Sequence, residues 1–135
     1  MKNSLLVSVL LLSALVTFGQ KKKKHNDEPP ALPPPRVWVG HIYTYNTTRE
    51  KILSEPKLTT DSVGCRVSGF TISLQAPGQP FYGPLYAVGE DFTQVQKDVI
   101  QKWDYPNVTF YIQDIHLNCH EKDATSPAFQ LHFDH

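Results

Sequence analysis

The chain has 135 residues, with 13 Lys/Arg against 13 Asp/Glu and two cysteines, which is room for one domain and too little for two. Beyond Pro35 it carries eight Lys/Arg and eleven Asp/Glu, so the folded part is mildly acidic. It lacks the clustered basic side chains that a nucleic-acid surface needs to neutralise phosphates.

The first element is targeting rather than fold. Lys2 precedes an apolar run from Leu5 to Phe18, and Thr17 and Gly19 are the small residues before a cut near Gln20. This is the pattern of a secretory signal peptide over residues 1–19, and the run is too short for a membrane span of about 20 apolar residues. The mature chain is therefore expected to have no transmembrane segment. Residues 20–35 hold Lys21 to Lys24 and five of the eleven prolines, a charged and then polyproline-like tether. Residues 36–135 form the single expected domain.

Within that domain, Val37 to Tyr45 is dense in β-branched and aromatic residues and predicts a strand, with Gly40 marking a bulge or a close backbone approach. Thr47 and Glu50 have capping-box spacing, so a short helix starts at Thr48 and ends before Pro56. The following KLTTDSVG reads as a turn. Phe70, Ile72 and Leu74 alternate with polar residues, whereas Cys65 and Val67 lie on the other parity. A bulge at Ser68-Gly69 reconciles the two sets. The Pro/Gly-rich connection that follows includes an aromatic loop from Phe81 to Tyr86, then a short edge strand from Leu85 to Val88.

Thr93 and Gln96 repeat the capping-box spacing, and Val95, Val99, Ile100 and Trp103 predict one buried helical stripe that stops before Pro106. In the next strand Val108, Phe110 and Ile112 change parity to Ile115 and Leu117, which implies a second bulge near Gln113-Asp114. Residues 118–127 read as a turn into Phe129, Leu131 and Phe133, a terminal hairpin with one apolar face. At least five short strands with one or two short helices favour a mainly β fold, a β-sandwich, over α/β.

Three constellations bear on function. Cys65 and Cys119, in an exported chain, suit a disulfide; closing a loop of about 55 residues is worth roughly 4 kcal/mol in the chain-entropy model. Asp114, His116 and His132 would supply three zinc ligands if the last two strands paired so that Asp114 faced His132. Phe81, Tyr82 and Tyr86 on a Pro/Gly-stiffened loop offer contact area at low entropy cost. No nucleophile elbow, metalloprotease helix or phosphate-cradling glycine loop occurs in the sequence, which argues against an enzyme and for no cofactor.

CRVSGFTISL (65–74), FTQVQKDVIQK (92–102) and VTFYIQDIHL (108–117), joined by a Gly-rich connection, resemble the C-terminal domains of GldM, the gliding-motility and type IX secretion protein of the Bacteroidetes. The likeness covers roughly residues 36–134, and its most specific pieces are Val67 with Phe70-Thr71, Phe92-Thr93, and Phe110 with Asp114-Ile115. It implies an immunoglobulin-like β domain in the periplasm that makes protein contacts and performs no catalysis. The expectation is an exported adaptor domain, periplasmic or secreted, with an envelope protein partner; a homodimer stays open. The alternative is a small metal- or ligand-binding envelope protein using the C-terminal His/Asp cluster.

Overall fold

A computed structural model describes residues 32–133. The expected signal peptide and most of the tether lie outside these residues, as does His135. The described chain is mainly β. In order it forms β1 (Val37–Val39), β2 (Asn46–Thr47), α1 (Arg49–Ser54), β3 (Leu58–Thr60), β4 (Cys65–Gln75), β5 (Tyr82–Val88), α2 (Gln94–Lys102), β6 (Val108–Cys119), β7 (Lys122–Ser126) and β8 (Phe129–Phe133). β1 and β3 pair as a small sheet; the other strands form a six-stranded sheet in the order β2-β8-β6-β4-β5, with β7 also beside β6. Two sheets around one core are consistent with a β-sandwich.

The long pair β4 and β6 is the centre of the large sheet. Cys65 lies opposite Cys119 and Leu74 opposite Phe110, yet the register slips between Val67 and Gly69 and slips back between Gly69 and Thr71. The first slip is an extra residue in β4 at Ser68, the second an extra residue in β6 at Asp114-Ile115, where Asp114 has φ 49°. Both expected bulges are present, and they compensate each other. Because each bulge flips the side-chain parity of its own strand, Val67 joins Phe70, Ile72 and Leu74 in the core, and Ile115 and Leu117 join Val108, Phe110 and Ile112.

Helix α2 covers this core face. Thr93 and Gln96 make the expected capping box, Thr93 Oγ1 accepting from the Gln96 N–H and Gln96 Oε1 from the Thr93 N–H. The buried stripe differs from the expectation at one position: Val95 is exposed, and Gln96 is fully buried beside Ile100. Gln96 can be buried because Nε2 donates to the Leu85 carbonyl at 2.8 Å, so both ends of its amide are satisfied. Phe92, just before the helix, packs its ring 5.4 Å from that of Phe70. α1, capped by Thr48, adds Ile52 to the same core.

Three expectations need correction. The strand expected over Val37 to Tyr45 stops at Val39, because Gly40 turns with φ 50° and comes so close to Glu55 that a Cβ would lie 2.9 Å from the Glu55 Cβ. KLTT is not all turn: Leu58–Thr60 is β3, held by pairing with β1. The supposed turn at 118–127 contains β7, which folds back on β6 through a two-residue turn at His120 and Glu121, both with positive φ. That is the twist-matched hairpin geometry, usually made by Asn-Gly; here the Asn118 side chain accepts from the Glu121 N–H.

Candidate functional site

Of Phe81, Tyr82 and Tyr86, expected on one loop, Phe81 alone lies in the connection. All but Phe81 belong to β5, the strand at one edge of the large sheet. The Gly83-Pro84 pair that suggested a loop is accommodated as a bulge: Leu74 pairs with Tyr82 and Ile72 with Leu85, leaving Gly83 and Pro84 opposite Ser73 alone. Gly83, with φ 118°, crosses so near β4 that a Cβ would lie 2.8 Å from the Ile72 carbonyl oxygen. Proline lacks an N–H, which an edge strand tolerates.

The pleat divides the three aromatic residues between two faces. Tyr82 shares the core side with Leu74, and its ring sits 5.1 Å from Trp103, beyond the end of α2. Tyr86 pairs with Thr71 on the opposite face, its hydroxyl lying over Gly69, where a Cβ would be 2.6 Å away. Phe81 tilts against Tyr111, which pairs with Ser73 on that same side. Phe81 is thus brought to Tyr111, while Tyr86 lies farther along the same face over Gly69 and Tyr82 is set apart on the core side. Val88, two residues past Tyr86 on the same face, is 80% exposed, Tyr86 59% and Phe81, at the other end of the strand, 50%.

The backbone of this edge is blunted. Pro84 offers no donor, and the Leu85 carbonyl is taken by Gln96. What β5 presents to a partner is therefore its side chains more than its ladder.

The disulfide is formed, Cys65 bonded to Cys119 with their Cα atoms 4.0 Å apart at the end of the β4–β6 ladder. The zinc arrangement is not. β8 pairs with Val108–Ile112, so His132 lies opposite Thr109 and not Asp114, while β7 occupies the edge beyond, placing Thr125 opposite His116. Asp114 accepts from Thr71 Oγ1 at 3.0 Å, and His132 stacks on Tyr45. Among the described residues no group of three His, Cys, Asp or Glu side chains is placed to hold a metal. The error came from the hidden hairpin: with β7 counted as turn, the register of β8 slid along β6.

A second feature escaped the sequence reading. An open groove of about 690 Å³ lies at β8, lined by segments 33–38, 42–45 and 126–131, with Trp38, Tyr43 and Tyr45 among its rings. The clue lay in VWVGHIYTY, which carries too many large rings for one half-buried strand of that length. Near the groove, His41 pairs with Glu55. The hydrogen bond from His41, helped by the charges of His41 and Lys57 and opposed by partial burial, holds the Glu55 carboxyl below its ordinary value.

The sequence matches no protein-family model and no curated protein. Among the described residues no helix is long and apolar enough to cross a membrane.

Proposed function

We propose that the protein is an exported, non-enzymatic interaction domain of the bacterial cell envelope, akin to the C-terminal β domains of GldM, that holds an envelope protein through the face of β5 that carries Tyr86 and Val88. The observation that carries this reading is the pair Tyr86 and Val88, exposed on one face of a strand whose backbone is already fixed by β4, with exposed Phe81 just before that strand. Rigid exposed apolar side chains lose little entropy when a partner covers them. The disulfide agrees with an oxidising compartment. The test is recovery of a partner from envelope extract, followed by binding of that partner in purified form. A Phe81→Ala, Tyr86→Ala double variant with an unchanged circular dichroism spectrum is expected to weaken the purified pair at least about tenfold, as loss of a central anchor does. Equal binding by variant and parent would refute the β5 surface as the contact.

A further inference from the structure

The groove along β8 has a backbone floor with a defined hydrogen-bonding direction. The His132 N–H donates to the Tyr45 carbonyl at 2.8 Å, so His132 faces outward to β2. Peptide groups alternate along a strand, which turns the N–H and C=O of Gln130 to that same outward side. β2 pairs only with His132 and Phe133, and the chain before it bends away at Thr44, whose hydroxyl donates to the Asn46 carbonyl. Among the described residues no strand lies beside Gln130. The position that β2 would fill if it were longer is the groove itself.

The walls select the occupant. They are Pro33 to Pro35, Trp38, Tyr43, Tyr45 and Phe129, and the one charged side chain among the lining residues is Arg36. Among the described residues no carboxylate lines the groove. Asp61, which accepts from the Arg36 backbone N–H, is not part of the lining. Arg36 sits at the Ser126 end, where the Ser126 hydroxyl donates to the Pro35 carbonyl, and Tyr45, stacked on His132, lines the groove toward β2.

We infer that the outer edge of β8 is a second binding site, taking an extended apolar peptide strand with a carboxylate at its Arg36 end. The strand adds to the sheet through Gln130, its side chains lie against the aromatic walls, and its acidic group meets the guanidinium. At about 3.3 Å per extended residue, the stretch beside Phe129–Leu131 takes about three to four partner residues. This site lies at the far edge of the large sheet from β5, so it neither requires nor duplicates the contact proposed there.

The test uses the whole protein against a random octapeptide library with free C-termini, the selected peptides being resynthesised. Expected are apolar sequences with one acidic group, and on saturation the Gln130 amide should exchange with solvent at least about tenfold more slowly. Gln130→Pro removes only an outward N–H on an edge strand, where proline is tolerated, and should abolish binding; Gln130→Ala, which keeps the N–H, should retain it, and Arg36→Gln should weaken it. If Gln130→Pro does not fold, the exchange rate of the parent decides. Peptides that bind without protecting Gln130, binding unaffected by both Gln130→Pro and Arg36→Gln, or no selected peptide at all would overturn the proposal. So would a dimer of the protein alone in which Gln130 is already protected.

Discussion

The two edges of the large sheet solve opposite problems. At β5 the backbone is closed, by Pro84 and by the Gln96 amide on the Leu85 carbonyl, while large apolar side chains are left outside. At β8 the side chains Leu131 and Phe133 are buried, and among the described residues no strand pairs with the outer side of Gln130, which lines a groove with aromatic rings from other segments. One edge is suited to recognition by side chains and the other to recognition by main chain. The same β4–β6 ladder supports both, which makes the contrast testable from the centre outward.

The largest effect is expected at that shared centre. Phe110 is fully buried on the core face of β6, its ring 6.1 Å from that of Phe92, and pairs with both Leu74 and Leu131. Phe110→Ala should cost about 3–5 kcal/mol in urea unfolding and weaken both edges together; a variant that lost one edge alone would show that they do not share a frame. Opening the disulfide by Cys65→Ser with Cys119→Ser, residues 54 apart in sequence, should cost about 4 kcal/mol in the chain-entropy model. Its structural effect should concentrate at the far end of the ladder, near Gly64 and His120, and leave the Gln130 amide unchanged in hydrogen exchange.

Gln96→Ala separates the edges. It removes the second half of the capping box and frees the Leu85 carbonyl, at a cost of about 1–3 kcal/mol for the buried groups left unpaired. Sedimentation should also detect self-association, because an edge strand with an unmet carbonyl and exposed Tyr86 and Val88 is a pairing template. If Gln96→Ala is destabilised and stays monomeric, the amide is a structural tie and not a guard on the edge.

How much of this could be seen beforehand follows from the range of the forces involved. The two bulges were legible because each leaves a local parity break: Val67 against Phe70, and Ile112 against Ile115. The α2 capping box was legible because its partners are three residues apart. What could not be read depended on partners distant in sequence. Gln96 looks like a solvent residue until Leu85 arrives to satisfy it, and Gly40 ends β1 because of Glu55, fifteen residues on. The β7 hairpin was hidden by chemistry, since His120-Glu121 is an unusual pair to hold positive φ, and a run as polar as KDATS carries no apolar alternation. That one omission displaced β8 and created a zinc site on paper from Asp114 and His132. The patch at β5 was half legible: its rings were found, but the pleat that splits Tyr82 from Tyr86 appears only once the strand has a register.

The smallest expected effect distinguishes the two edges by pH. Glu55 lies against Gly40, at the end of the strand that carries Trp38 to the groove, and its carboxyl is held below the ordinary value chiefly by the His41 hydrogen bond. A carboxylate with a depressed folded pKa stabilises above its unfolded pKa, and that contribution is lost as pH falls through the folded value. Acidification from neutral to below the ordinary Glu range should therefore first move amide signals at Gly40 and His41, and then those of Trp38, while β5 amides from Leu85 to Val88 stay still. His41→Ala should shift the midpoint of that acid transition upward, toward an ordinary glutamate. A midpoint unchanged by His41→Ala would assign the depressed carboxyl to Lys57, which approaches Glu55 Oε1 at 3.6 Å, and would uncouple the groove wall from the histidine.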